Sequence, residues 1–270
     1  MHIDLAMSVA GLIVGVVVGL TGMGGGALMT PMLVLLFHID PLAAVSSDLV
    51  VSLVMKPVGA SVHMRRGTVR TQLVSWLMLG SVPAAFSGVL VLRALGDDAG
   101  SRLKLWLGIA LLVAAGCIVL KARLQQLRRA EERVLVSAGN LPEAPGPPPL
   151  IVRPLPTLAI GAVGGLVVGM TSVGSGSLII VALMLLYPRL TSAELVGTDL
   201  VQAIPLVGSA ALGHLLFGHV QLDVTGSLLL GGIPGIWVGA HVSSRAPDRI
   251  VKPALFLVLL ATGLKLVGAI

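Results

Sequence analysis

Asp48, Ser52 and Lys56 stand four residues apart, so on an α-helix they share one face. That face would carry a carboxylate, a hydroxyl and an amine inside the apolar stretch Leu42–His63. Ionisable groups within an apolar span are costly and mark substrate or ion pathways. The amine suits an anion, and the carboxylate suits a proton. A second version follows at Asp199 and Gln202, with Val207 where Lys56 stands in the first. A competing reading makes Asp48 and Asp199 helix N-caps, since each follows a small hydroxyl residue, Ser47 or Thr198. It lets Lys56 snorkel toward the membrane surface. His63 and His214 are further proton carriers by type. Near their helix ends, interfacial or packing roles compete with a relay.

The elements that must position these groups are set by glycine. Thr21–Gly26 reads TGMGGG, and Thr171–Gly176 reads TSVGSG. Each interrupts an apolar stretch that would otherwise be one long helix. Paired glycine-interrupted apolar segments in two halves of a chain point to the binding site of a secondary transporter. Close helix packing through small residues is the plainer explanation. It accounts for the glycines but not for the threonine that opens both copies. At Gly22, Gly24, Gly25 and Gly26, and at Gly174 and Gly176, the backbone can leave helical geometry without a side-chain penalty. Helices restarting near Ala27 and Ser177 would aim unpaired N–H groups, and the positive end of the helix dipole, at a shared cavity. Thr21, Thr171, Ser172, Ser175 and Ser177 would add hydroxyls. The expected site is small, rich in donors and suited to an oxyanion.

Composition sets the environment. Apolar residues make up 56% of the 270, charged residues only 11%, and mean hydropathy is +1.01. A soluble domain carries about twice that charged fraction. Apolar runs at Leu42–His63, Thr71–Leu92, Leu103–Leu120, Ser192–Phe217, Leu222–Val242 and Ile250–Ile270 are each near the roughly 20 residues that cross a bilayer. The expected fold is therefore an all-α polytopic membrane protein. Met1–Asp4 lacks the basic start of a cleavable signal. Cys117 is the single cysteine, which rules out an internal disulfide. Trp76, Trp106 and Trp237 are interfacial or core residues by type. No cofactor, metal or nucleic-acid partner is expected. The expected partners are a small anion, protons and the lipid bilayer, with monomer and homodimer both open.

The chain also reads as a duplication. At an offset of 150, Gly19, Thr21, Gly24, Gly26 and Leu28 meet Gly169, Thr171, Gly174, Gly176 and Leu178. After one inserted residue, Asp48, His63, Gly67, Gly80, Pro83 and Gly88 meet Asp199, His214, Gly218, Gly231, Pro234 and Gly239. Residues 1–120 and 154–270 are thus expected to be repeats, each with a broken first element and about three further helices. The join, 121–153, reads as a basic surface helix followed by a Pro-rich spacer. If each broken element returns to its starting side, the repeats are inverted and Lys and Arg divide 13 to 4 between the two faces, Lys56 excluded. If each crosses once, the division is 10 to 7. The positive-inside rule favours inversion, with the linker cytoplasmic and both termini external. The count does not separate a hairpin from paired short crossings.

Taken together, TGMGGG with its following Leu and Pro, SSDL, and the turn from His63 to Val69 resemble the sulfite exporter TauE/SafE family of anion permeases. So do GTDL, GHLLFGHV and the Pro234–Gly239 segment of the second half. The resemblance covers both repeats and omits the linker. It implies proton-coupled transport, chiefly export, of sulfite, sulfoacetate or related organosulfonates across a bacterial inner membrane. It carries the glycine-rich motifs onto Gly22, Gly24, Gly25, Gly26, Gly174 and Gly176. Ser172 and Ser175 depart from it, as does Asp48 where a hydroxyl precedes leucine. Two rivals stand beside this reading. An intramembrane serine hydrolase would pair Ser175 with His214, without any G-x-S-x-G pattern to support it. An anion channel is compatible with the composition, although paired broken helices favour alternating access.

Overall fold

The computed structural model describes residues 4–21, 25–96, 99–137, 151–217, 220–242 and 248–268. They form ten helices and, among the described residues, no strand. In chain order these are α1 (Leu5–Thr21), α2 (Gly26–Leu35), α3 (Pro41–Arg65), α4 (Thr71–Ala94), α5 (Ala99–Ser137), α6 (Pro154–Thr171), α7 (Leu178–Leu186), α8 (Ser192–Leu216), α9 (Leu222–Val242) and α10 (Asp248–Val267). Six are long and apolar enough to cross a membrane: α3, α4, most of α5, α6, α8 and most of α9. This is a multi-pass membrane protein, as composition indicates. The C-terminal run forms α10, with an apolar helical stretch over Leu255–Val267. The expected surface helix after Lys121 is not separate, because α5 continues without a break to Ser137. The Pro-rich spacer lies outside the described residues.

Helix starts follow local chemistry. Asp40 caps α3 by accepting from the N–H groups of Leu42 (3.0 Å) and Ala43 (3.3 Å), with Pro41 at the first helical position. There proline loses nothing, because that N–H has no intrahelical partner. Thr191 and Glu194 form a reciprocal capping box on α8. Asp48 and Asp199 are therefore not caps. Each lies two turns inside its helix and is buried. The capping alternative raised from Ser47 and Thr198 is overturned, because Asp40 and Thr191 already satisfy the free N–H groups.

Glycines set the packing. Cβ atoms built on Gly11 and Gly15 would strike the carbonyls of Leu228 (2.7 Å) and Gly232 (2.6 Å), so α1 lies against α9 backbone to backbone. Gly161 and Gly165 meet the carbonyls of Leu77 and Ser81 in the same way, placing α6 against α4. Gly80 against Leu158 is matched by Gly231 against Ser8, and Gly88 against Leu166 by Gly239 against Val16. The numbers of the touching residues rise together along each pair, so both pairs run parallel. Hydrocarbon chains are as apolar as leucine, so close approach and dispersion must supply the packing free energy.

The central pair, α3 and α8, runs antiparallel. Ser46 meets His214, Leu53 meets Gly208, Leu200 meets Gly59 and His63 meets Gly197. Two apolar cores flank it. Met29 and Leu33 of α2 belong to one; Ile179, Ile180, Leu183 and Met184 of α7 belong to the other. Each core thus surrounds one of the short helices that follow the glycine breaks.

Gly11→Val and Gly161→Val should each lower stability by about 1–3 kcal/mol or more, the usual range for forcing extra volume into a packed site. Gly116→Val, on an exposed face of α5 with nothing within 4 Å of the new Cβ, should change it far less. Melting temperatures of the purified variants in detergent check the contrast.

Candidate functional site

The second break is a hairpin. Ile179, early in α7, packs on Gly164 of α6, and Val168 lies beside Gly174. At the far end of α7, the Tyr187 hydroxyl meets Thr157 Oγ1 at 2.5 Å and accepts from the Arg153 N–H at 2.9 Å, both at the start of α6. The chain therefore enters and leaves this element at one end. Its turn needs positive φ at Ser172 (59°), Gly174 (124°) and Gly176 (91°). Glycine adopts such angles freely. Ser172 is held there by its own N–H on the Val168 carbonyl (2.7 Å).

The two breaks touch. A Cβ on Gly26 would collide with the Ser172 carbonyl, and Val173 packs in the core built around α2. Gly25 faces Asp48 and Ser52, and a Cβ built on it would stand 3.4 Å from a side-chain oxygen of each. Gly22 and Gly24 lie outside the described residues, as does the side chain of Thr21. Thr171 Oγ1 closes the end of α6 by donating to the Val167 carbonyl (2.7 Å) and accepting from the Val173 N–H (3.2 Å).

Around this junction the polar groups of α3 and α8 converge. Lys56 Nζ donates to Ser175 Oγ at 2.6 Å. Its charge acts on both Asp199 and Asp48. Asp48 accepts from Thr30 Oγ1 (2.7 Å) and from Ser52 Oγ (3.4 Å). Asp199 accepts from Gln202 Nε2 (3.0 Å). Gln202 in turn accepts from Ser81 Oγ of α4 (3.2 Å). Ser177, at the start of α7, differs. Its hydroxyl is buried and has no hydrogen-bond partner. Leaving a buried hydroxyl unpaired costs about 1–3 kcal/mol.

One expectation needs correction. The N–H groups of the restarted helices are largely engaged. Those of Leu28 and Met29 go to the Gly25 carbonyl, and those of Ser177 and Leu178 go to the Gly174 carbonyl.

A family profile described as sulfite exporter TauE/SafE matches residues 7–266. The chain belongs to this family. It is 35% identical to the "Probable membrane transporter protein YjnA" of Bacillus subtilis strain 168, across 98% of this chain and all of that protein. The "Probable membrane transporter protein YdhB" and "Probable membrane transporter protein YunE" of the same strain are 26% and 24% identical, over 94% and 96% of this chain and 96% and 95% of theirs. No solved structure matches. Like other TauE/SafE members, the chain is a membrane transporter and not an enzyme.

Within this TauE/SafE chain, Lys56, Ser172, Ser175, Gly176, Ser177, Gln202, Asp48 and Asp199 fall into one cluster with Gly25 and Gly26. Gly174 shapes the hairpin beside it. The histidines lie apart. His214 places Nδ1 2.7 Å from Ser46 Oγ and Nε2 3.1 Å from the Gly169 carbonyl, and His63 Nδ1 lies 2.9 Å from Thr68 Oγ1. The Ser175–His214 pair that a hydrolase would need does not form, since the partner of Ser175 is Lys56. Thr30 and Ser81 join the cluster unannounced. Thr30 lies one turn into α2, before Pro31, and a hydroxyl in so apolar a helix was the available signal. Ser81 faces Gln202 through a contact between residues 121 apart, which spacing cannot show.

Lys56→Met leaves Asp48 and Asp199 buried without their cation. It should cost about 1–3 kcal/mol, because it also removes the donor on Ser175 in a buried site. Adding Asp199→Asn to Lys56→Met should recover part of that loss. A double-mutant cycle on melting temperatures reads the coupling.

Proposed function

We propose that this TauE/SafE member is a secondary transporter, acting chiefly as an exporter, of small sulfur-containing oxyanions such as sulfite, sulfoacetate or related organosulfonates. The carrying observation is the junction of the breaks. Lys56 on Ser175, the orphaned Ser177 hydroxyl and the N–H of Gly176 form a compact set of donors around one cation. No aromatic side chain belongs to the set, so nothing in it stacks on a ring. A small tetrahedral or pyramidal oxyanion uses such a set best. Protons couple to its passage through Asp48 and Asp199.

The site is enclosed: Lys56 is 5% exposed, Ser175 7% and Ser177 4%. Enclosure supports alternating access over an open anion channel. A serine–lysine hydrolase is the second reading that the geometry raises, because Lys56 could serve as the base for Ser175. Membership of a family of membrane transporters argues against it.

In this reading residues 1–120 and 154–270 are inverted repeats joined by a cytoplasmic linker, 121–153, in a bacterial inner membrane. Three features support it. Equivalent helices α3 and α8 run antiparallel. The glycine contacts of α1 on α9 recur position by position in α6 on α4. The hairpin returns to its starting side, which is the arrangement that sorts the basic residues 13 to 4. In a Cys117→Ser background, single cysteines at Arg66 and Gln126 should label from the cytoplasm, and those at Gly100 and Gln221 from outside. Labelling of Gln126 and Gln221 from one side would end the inverted arrangement.

Transport itself is tested in proteoliposomes. Counterflow of labelled sulfite or sulfoacetate should depend on the protein and should stop in Lys56→Met. Ser177→Ala should weaken anion affinity about tenfold, the worth of one hydrogen bond to a charged group. Movement of a cation or neutral solute, with none of any sulfur oxyanion, would refute the proposal.

A further inference from the structure

Of the three serines on α4, Ser75 and Ser87 donate back to their own helix, to the Thr71 carbonyl (3.1 Å) and the Pro83 carbonyl (2.9 Å). A helical serine commonly bonds in this way, four residues back. Ser81 departs from it. Its hydroxyl donates across to Gln202 Oε1 of α8 (3.2 Å), and Gln202 Nε2 donates to Asp199 Oδ1 (3.0 Å), one turn earlier on the same helix. All three side chains are at most 1% exposed, so bulk water is not at hand to replace a partner that leaves. The backbone at Ser81 is fixed from two sides. A Cβ on Gly165 of α6 would stand 2.3 Å from its carbonyl, and the next carbonyl, that of Val82, accepts from Ser209 Oγ of α8 (2.8 Å). In the other half, Val51 and Gly232 hold the places equivalent to Gln202 and Ser81, so Asp48 has no such pair.

We propose that Gln202 is a positioning residue for Asp199, turning its amide over when that carboxyl gains a proton, and that Ser81 is the partner that makes the turn possible in a buried site. This rests on the role of Asp199 as a proton carrier given above. It is compatible with export, in which a proton enters as the anion leaves.

The hydrogen bonds balance in both states. An ionised carboxylate only accepts, so the amide offers Nε2 to Asp199 and Ser81 donates to Oε1, as observed. A proton on Oδ1 turns that atom into a donor, and two donors then face each other. Rotation about the last side-chain bond of Gln202, a broad two-fold torsion, presents Oε1 to Asp199 and Nε2 to Ser81. Ser81 Oγ then accepts from Nε2 and donates to the Leu77 carbonyl, four residues back. Ser46 already shows that second arrangement. Its Oγ donates to the Leu42 carbonyl, four residues back (2.6 Å), while it faces His214 Nδ1 of α8 (2.7 Å). One O–H bond forms at Asp199, with a proton from the aqueous phase open to the site, and no covalent bond of the pair breaks. Alanine at position 81 would strand Oε1 in one state and Nε2 in the other.

The other titratable groups around α8 are held elsewhere or lie at its ends. Among the helices packed on it, α6 and α7 contain no ionisable side chain, and α4 carries Arg93 in its last turn. On α3, Asp48 meets Thr30 and Ser52, Lys56 meets Ser175, His63 meets Thr68, and Arg65 ends the helix. On α8 itself, Glu194 binds Arg70 and Thr191, and His214 faces Ser46 and Gly169. Lys56 and Lys121 of α5 are the cations whose charge reaches Asp199. Neither lysine has an acceptor to offer the turned amide.

The amide can be read directly. Protein made with side-chain 15N-labelled glutamine and placed in lipid nanodiscs gives side-chain signals from Gln72, Gln125, Gln126, Gln202 and Gln221, and Gln202→Leu identifies the one that is lost. In wild type this signal should move with pH over the same range as the Asp199 carboxyl carbon, and in Asp199→Asn it should be independent of pH. A Gln202 signal that stays put while Asp199 titrates would overturn the proposal. Sulfite counterflow in proteoliposomes gives the second reading. Ser81→Ala should slow it about tenfold, the worth of one buried hydrogen bond left unmade, and Ser81→Thr, which keeps the hydroxyl, should recover most of the rate. Adding Ser81→Ala to Gln202→Leu should change nothing further, because Ser81 acts through the amide. Additive losses would reduce Ser81 to packing and overturn its part. If Asp199 never titrates while sulfite moves, the proton role fails and the turning amide fails with it. Absence of sulfite flux in wild type would instead remove the oxyanion reading, and the Gln202 signal would still decide. The same signal decides if Ser81→Ala fails to fold.

Discussion

A lysine buried among apolar helices has to be answered by opposite charge, and the arrangement around Lys56 follows from that requirement. The answer comes from both halves of the chain. Asp48 lies two turns earlier on the same helix, and Asp199 lies on the antiparallel partner, α8. To bring Asp199 close, α3 and α8 must pack at mid-length. Gly59 and Gly208 lie at their contact, against Leu200 and Leu53. The hairpin then delivers Ser175 to the ammonium. One charge thus organises a junction that glycine alone would only loosen.

Hydrocarbon imposes the second demand, because no water is present to satisfy a broken helix. The hairpin meets it within itself. The Gly174 carbonyl receives the N–H groups of Ser177 and Leu178, and Thr171 closes the end of α6. Among the described residues, the Ser177 hydroxyl is the buried side-chain group left over.

Much of this was legible in the residues. The apolar runs, the matched glycines and the shared face of Asp48, Ser52 and Lys56 follow from periodicity and spacing. The capping alternative for the two aspartates was readable as wrong. Asp40 before Pro41, and Thr191 three residues before Glu194, are stronger start signals than Ser47 or Thr198. What spacing could not show depends on distant contacts. Lys56 and Ser175 are 119 residues apart. The reversal of α7 onto α6 is fixed by Tyr187 reaching back to Thr157. The continuity of α5 was missed because a basic sequence looks detached from a membrane span, yet nothing in it breaks a helix.

The two halves are not equal at their surfaces. The Arg70 N–H donates to Thr198 Oγ1 (3.1 Å), and the equivalent Gln221 N–H donates to Ser47 Oγ (3.4 Å). Only the first of these turns adds an ion pair, from Arg70 to Glu194. Gln221 and Ala43 hold the corresponding places in the other half and carry no charge. Any motion that parts the α3–α4 turn from the start of α8 must break this partly exposed pair. Motion at the opposite face meets no such tie at those positions. Ionic strength screens exposed charges, so salt on the Arg70 side of the membrane eases separation there, and salt on the other side finds no equivalent pair to loosen. Under the proposed mechanism, the face that carries Arg70 and Glu194 is thereby the one whose opening responds to the solution it meets.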